Sequence, residues 1–432
     1  MPYFTIDLDG YRQKNACYLC VVLTELFRHT LPNGLRVLFR PSAGETGHLA
    51  IFIHAGSRDE DEDLGGLAHF IEHTIFKGTR SRSMFQVLSR LDAVGGELNA
   101  YTTKEETCIY GSFHRRYLNR AADLIADITL NSTFPVGELE KEKEVIADEI
   151  RSYLDSPSEQ IFDDFEQQVF RKHPLGQSIL GTEESLKRIK RKHITDFLRN
   201  HYLAENMVLC ITGPYTPAEA LQAAEKYFSI VPEGGQTPQR RKFSGYRASS
   251  VINEQDTHQA HCVIGAPAYP TEHRSRTALA LLLNILGGPA MNAKLHLLVR
   301  EKHGLAYSID AGYTTWTDSG LAHIYFGTDA ANTERCLQLI NRELKNVREK
   351  ALSSGALRSA QIQFEGQLTI AEENKLNVML ALGRQLLQHN KTSSLADICK
   401  QVRAVTAAQV LAAANEILVP EHLSTLIYKG RP

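Results

Sequence analysis

The sequence predicts an α+β protein built from two homologous α/β sandwich domains, each a sheet covered by helices, joined by a linker. Three observations predict this. The chain has 432 residues, more than one hydrophobic core sustains. A stretch rich in Pro, Gly and charge divides it near the middle. The order of elements before that stretch recurs after it. Helical runs grouped with several non-adjacent β-rich segments place each half in the α+β class.

The dividing stretch is residues 232–245, which leaves domains of residues 24–232 and 250–432. In the first, Tyr101-Thr102-Thr103 precedes a β-rich segment at 108–113 and a helical run from 117 to 130. In the second, Tyr313-Thr314-Thr315 precedes a β-rich segment at 323–328 and a helical run from 330 to 347. Each half also closes with a helix and then an apolar strand, at 194–202 and 208–212 in one and at 406–418 and 423–428 in the other. Identity between the halves is weak, and the shared order carries the argument.

Composition narrows the class of function. Hydrophobic residues at 43% and charged residues at 23% are ordinary for a globular protein with a large core. A net charge of -2 argues against a nucleic-acid partner, which a basic surplus would signal. The run Lys187-Arg188-Ile189-Lys190-Arg191-Lys192 follows Glu183 and Glu184 and reads as the solvated face of a helix. Seven cysteines, an odd number without paired spacing, favour a reducing compartment and so a cytoplasmic location. Cys17-x-x-Cys20 has no second pair to complete a zinc site and reads as incidental. The apolar run at 17–23 is too short for a secretory signal or a membrane span, so a soluble protein with no membrane partner is expected. Residues 1–23 fit no element of this reading.

The segment that carries chemistry is Leu64-Gly65-Gly66-Leu67-Ala68-His69-Phe70-Ile71-Glu72-His73-Thr74-Ile75-Phe76. Asp61 and Asp63 place acidic residues where a helix should begin. At about 100° per residue, His69 and His73 lie roughly 40° apart, one turn above the other. Two imidazoles so placed can share one tetrahedral zinc. Glu72 lies roughly 60° to the other side of His69, within reach of a water on the metal. The spacing H-x-x-E-H is the inverted zincin pattern. Two core histidines beside an exposed Glu is the plainer alternative. Leu64, Leu67, Phe70, Ile71, Ile75 and Phe76 surround the helix, however, and buried imidazoles with a carboxylate need a strong partner such as a cation.

A third ligand is required, and the acidic helix at 138–154 supplies candidates. Glu140, Glu144, Asp148, Arg151 and Asp155 gather on one side of its wheel as ordinary solvated charges. Glu142 and Glu149, two turns apart, share the side that carries Val145, Ile146 and Tyr153. One of these carboxylates can ligate the metal and the other can hydrogen-bond a ligand.

His69-x-x-Glu72-His73 followed by Glu142 and Glu149 resembles the pitrilysin family, which includes insulin-degrading enzyme and the mitochondrial processing peptidases. Glu149 follows His73 by 76 residues and Glu142 precedes Glu149 by seven, spacings similar to the family's. The resemblance runs over nearly all of the chain from about residue 24, in the manner of a short two-domain bacterial-type member. It implies one Zn2+ per chain held by His69, His73 and Glu149, with Glu142 in support and Glu72 as catalytic base. It implies that Asn99, Ala100 and Tyr101 lie on an edge strand that holds an extended peptide, a segment that reads alone as a plain structural strand. It also implies that Arg300 and Tyr307 contact substrate near the scissile bond. Read locally, Arg300 sits near the end of a helix stopped by Gly304.

The second half has no H-x-x-E-H and would be a metal-free duplicate. The function implied is a zinc endopeptidase cutting peptides or unfolded segments inside a clamshell homodimer, in which Arg300 and Tyr307 serve the partner's site. The alternative is a catalytically silent subunit of a processing-peptidase-like complex. Leu286-Gly-Gly-Pro-Ala-Met291 lacks the long glycine loop of the non-catalytic mitochondrial subunit, which argues against that role.

Overall fold

A computed structural model describes residues 26–430 apart from residue 256. Cys17, Cys20 and the apolar run at 17–23 lie outside the described residues, as do 24, 25, 431 and 432. The first half runs β1 (Phe27–Thr30), β2 (Arg36–Pro41), β3 (Thr46–Ile53), α1 (Leu67–Thr74), α2 (Met84–Asp92), β4 (Glu97–Thr102) and β5 (Thr107–His114). It continues with α3 (Leu118–Asn131), α4 (Val136–Leu154), α5 (Pro157–Val169), α6 (Glu183–Arg188), α7 (Arg191–His201), β6 (Met207–Gly213) and α8 (Pro217–Phe228). The second half opens with β7 (Ser250–Gln255), β8 (Ala260–Ala268), α9 (Arg276–Gly287), a π-helical turn (His296–Lys302), β9 (Ala306–Thr315) and β10 (Gly320–Thr328). It ends with α10 (Thr333–Glu349), α11 (Ser354–Glu372), α12 (Lys375–His389), α13 (Leu395–Ala404), α14 (Ala407–Ile417) and β11 (Ser424–Gly430).

The two sheets share one topology. The first has strand order β1-β2-β6-β3-β5-β4 and the second β7-β11-β8-β10-β9. In each, the strand at the end of the half pairs parallel with the first long strand (β6 with β2, β11 with β7), and the other pairings around it are antiparallel. The repeat seen in the sequence is therefore a repeat of topology, with β1 added to the first copy. In it β4, which carries Tyr101, and β9, which carries Tyr313, are equivalent edge strands.

The central strands are apolar on both faces, and the cores show why. On β3, Leu49, Ile51 and Ile53 enter the core under the first half's own helices, while Ala50 and Phe52 enter a second core on the opposite face. That opposite face is covered by α12 of the second half, through Val378, Met379, Leu382, Leu386 and Leu387. The exchange is mutual. Ile161, Phe165 and Val169 of α5 cover the far face of the second sheet at Val263, Tyr325, Leu426 and Tyr428. The sequence reading had each half cover its own sheet. In the structure each half covers one face of its own and one face of its neighbour's.

Gly383 is where α12 comes closest to the first sheet, because a Cβ there would lie 2.1 Å from the ring of the fully buried Phe52. Alanine is the better helix former by about 1 kcal/mol, but overpacking of this kind costs roughly 1–3 kcal/mol and outweighs that gain at so close an approach. Gly383→Ala should therefore lower the thermal unfolding midpoint, and a rise would show that the contact is looser than drawn.

Charge also ties the halves together. The turn between β4 and β5 carries Lys104, Glu105 and Glu106, all buried, and each meets a different element. Lys104 pairs with Glu166 of α5 at 3.1 Å, and Glu106 with Arg384 of α12 at 2.6 Å. Glu105 accepts from Arg58 at 2.6 Å and from the Thr317 hydroxyl and N–H at 2.7 and 3.0 Å. Arg58 also donates to both carboxylate oxygens of Asp318, at 2.7 and 2.8 Å.

The dividing stretch is irregular, yet it is fixed in place. Arg240 donates to both oxygens of Asp59 at 2.8 Å and to the Glu105 carbonyl at 2.8 Å, and the Phe243 ring packs on Phe170. Two local expectations differ from the structure. The basic run at 187–192 spans the end of α6 and the start of α7, with Ile189 buried between them, so it is no single helix face. Val145 is 51% exposed, so the stripe beside Glu142 and Glu149 is less apolar than its wheel suggests.

Candidate metal centre

The helix α1 starts later than the acidic signal implies. Glu62–Leu64 forms a separate 3-10 turn, and α1 begins at Leu67 after Gly66, whose φ of 91° lies in the left-handed region. Glycine is required there twice over, since a Cβ would also lie 2.5 Å from the Leu180 carbonyl oxygen. The amides at the helix start go to Glu60 rather than to Asp61 or Asp63. Its two carboxylate oxygens accept from Gly66 at 2.8 Å and Ala68 at 2.7 Å. Burial raises the pKa of Glu60 to about 8 while these two amide bonds pull it back, and the pair of bonds fixes the entry of the helix that carries the centre.

From that start α1 presents His69 and His73 one turn apart, with ring centroids 4.5 Å apart. The long helix α4 packs across α1 and brings Glu149 to them. The Glu149 carboxylate stands 3.9 Å from His69 Nε2 and 3.5 Å from His73 Nε2. The donor atoms of His69, His73 and Glu149 all lie within 4.8 Å of one another, close enough to surround one ion.

The donors are in suitable states. Burial, with a smaller push from His73, lowers the His69 imidazole to about 3, so it is neutral near pH 7 and keeps a lone pair to share. His73 Nδ1 donates to Glu142 Oε1 at 3.1 Å, which leaves Nε2 as the free acceptor on the side of Glu149. Glu142 is itself held, its other oxygen lying 2.5 Å from Lys77 Nζ. Two imidazoles and a carboxylate match the donor set of a catalytic zinc with one position left open. Glu149 remains 43% exposed, so the open side is reachable from solvent.

Glu142 thus supports a ligand and does not stand among the three donors. Glu142→Gln keeps its shape but weakens the hold on His73 and should reduce zinc affinity about 10–100-fold. Competition against a chromogenic chelator reads this directly, and an unchanged affinity would remove Glu142 from the centre.

Glu72 lies between the centre and the edge strand, close to Thr102 of β4 and within the electrostatic reach of His73 and Glu149. Burial raises the pKa of its carboxyl, Thr102 and His73 pull it back, and Glu149 adds to the rise. Asn99, Ala100 and Tyr101 lie on β4, which pairs only with β5 and forms the sheet edge beside this helix. Asn99 is exposed, whereas Tyr101 packs toward α12 and its hydroxyl donates to Glu106 at 3.0 Å. Arg300 and Tyr307 are not brought to the centre within this chain. Arg300 is exposed on the π-helical turn beside Glu301, and the 59% exposed Tyr307 donates to Asp329 at 3.1 Å. Two contributors escaped the sequence reading, Glu60 and Lys77. Lys77 lies past the end of α1 and meets Glu142 only through the packing of α4, and nothing local announces Glu60 as the cap.

Comparison with known proteins gives a consistent picture. Residues 36–183 match the profile of insulinase (peptidase family M16), and residues 188–364 match that of the peptidase M16 inactive domain. An uncharacterised zinc protease of Bacillus subtilis is 30% identical over 93% of this chain and 97% of its own length. One from Mycobacterium leprae is 32% identical over 95% of this chain and 92% of its own. Among solved structures, a peptidase M16 inactive domain from Pseudomonas fluorescens superposes with a TM-score of 0.88 at 20% identity, covering 94% of this chain and 98% of that one. A protease from Helicobacter pylori superposes with a TM-score of 0.87 at 20% identity, over 94% and 100%. These two structures share the fold.

Proposed function

The chain belongs to peptidase family M16, the insulinase family, and from that premise we propose that it is a zinc-dependent endopeptidase acting on peptides or unfolded polypeptide segments. The observation that carries the reading is the convergence of His69, His73 and Glu149, with Glu72 one helix turn away beside an open strand edge. A zinc ion held by those three residues supplies Lewis acidity, acidifying water and polarising a carbonyl.

The remaining work falls to side chains and backbone. An extended peptide adds to the free edge of β4 through main-chain hydrogen bonds, a mode that reads backbone more than sequence. Glu72, its affinity for protons raised by burial, takes a proton from the attacking water and delivers it to the leaving amine nitrogen. Glu142 keeps His73 in the tautomer that leaves Nε2 free.

Arg300 and Tyr307 are solvent-facing and meet Glu301 and Asp329 rather than the centre, which suits a role toward a second copy of the chain. In a homodimer each would face the peptide bound at the other copy's centre, where a cation and a hydroxyl can stabilise the oxyanion. Mixing Glu72→Gln chains with Arg300→Ala chains should restore part of the activity that each lacks alone. No recovery in verified mixed dimers would rule out sharing between copies. For the proposal as a whole, unfolded test peptides are incubated with the zinc-loaded protein and the fragments read by mass spectrometry. Internal cleavage is expected, and an intact peptide pool beside fully metallated protein would overturn the reading. No described helix is long and apolar enough to cross a membrane.

A further inference from the structure

The strand edge that flanks Glu72 leads to a cavity of about 830 Å³ between the two halves, reached at Thr103, one residue past the end of β4. Its charge is uneven once internal pairs are set aside. Arg384 on its wall is bound to Glu106, and Glu105 is bound to Arg58 and Arg240. That leaves Arg274, Arg276 and Lys391 against the single carboxylate of Glu272. Arg274 and Lys391 are exposed and have no ion-pair partner among the described residues. His389, on the same wall, has Nδ1 3.5 Å from Glu272 and a buried Nε2 with no hydrogen-bond partner among the described residues. Trp316, 6% exposed, lines the cavity from the end of β9.

We infer that this cavity receives an acidic side chain of the peptide held along β4, an assignment that rests on the peptidase reading above. A peptide paired with a strand edge sends alternate side chains to opposite faces of the sheet. On β4 those faces are distinct. Leu98 and Ala100 pack toward the core beneath α1, whereas Tyr101 packs against α12 and its hydroxyl meets Arg384 at the cavity wall. Side chains of a bound peptide on the Tyr101 face therefore run toward the cavity, and those on the other face run toward the metal centre. A carboxylate arriving there finds the free cations Arg274 and Lys391, both exposed. A Lys or Arg side chain finds their repulsion.

Zinc-loaded Glu72→Gln protein holds peptide without cutting it, and Trp316, the only tryptophan of the chain, reports from the cavity by its fluorescence. The probes are matched peptides carrying one Glu, or Gln in its place, moved along the sequence one position at a time. Glu should bind roughly fivefold tighter than Gln, the size of an exposed charge pair, and only at alternate positions. The preference should vanish in the Arg274→Glu, Lys391→Glu variant, whose unchanged zinc affinity shows that it is folded. Equal binding of Glu and Gln peptides, or a preference that survives both substitutions, overturns the cavity assignment and leaves the peptidase reading standing. If no peptide binds at all, the two fall together.

Discussion

Glu72→Gln should lower peptide hydrolysis about 10²–10⁴-fold while the protein keeps its zinc. The substitution preserves volume and removes one capacity, that of accepting a proton. Glu72 is not among the three donors, since among the described residues only His69, His73 and Glu149 bring their atoms within 4.8 Å of one another. Metal content should therefore match the wild type, while the step that needs a base fails. Turnover falls and peptide binding persists, because pairing along β4 does not involve this side chain. The measurement is turnover under saturating peptide beside zinc content from the same preparation. Loss of zinc together with activity would make Glu72 a ligand, and a fall of less than tenfold would give the proton transfer to another group.

Arg58→Ala should destabilise the fold by about 3–5 kcal/mol, as expected when one member of a buried charge cluster is deleted. The Arg58 side chain is only 1% exposed and its fork holds Glu105 of the first half and Asp318 of the second at once. Removing it strands the buried Glu105, which keeps Arg240 at 3.4 Å and Thr317, and frees Asp318 from its bidentate partner. Against a total stability of about 5–15 kcal/mol the loss is large. Arg58→Lys keeps the charge but not the planar fork and should fall between the two. Urea unfolding reads the shift, and a change below about 1 kcal/mol would show that the cluster contributes little to holding the halves together.

How much of this was legible beforehand follows the range of the interactions. The placement of His69, Glu72 and His73 follows from helix periodicity, a local property, and so does the common side of Glu142 and Glu149. Which of those two glutamates joins the three donors and which holds His73 from behind depends on how α4 crosses α1, and the sequence needed its resemblance to choose. The start of α1 was misread because an acidic signal at Asp61 and Asp63 competes with Glu60, which folds back across a left-handed glycine to reach the amides. Arg58, Glu105 and Arg240 were invisible for a different reason. Each is unremarkable in its own segment, and only the meeting of residues between 47 and 260 positions apart gives them partners. The same holds for the cavity, whose walls come from both halves.

The exchange of α5 and α12 between the sheets has a consequence during synthesis. When β6 has emerged and the first sheet is complete, Phe52, Val208 and Cys210 on its far face still lack α12, which lies about 160 residues further along the chain. At roughly 5–20 residues per second a ribosome needs about 10–30 s to supply it. For that interval the nascent first half carries an apolar sheet face with no permanent cover, and α5 waits for a sheet that does not yet exist. Chaperone demand should therefore peak after the first half is made and fall once α12 leaves the exit tunnel, a schedule written into the chain by which half owns which helix.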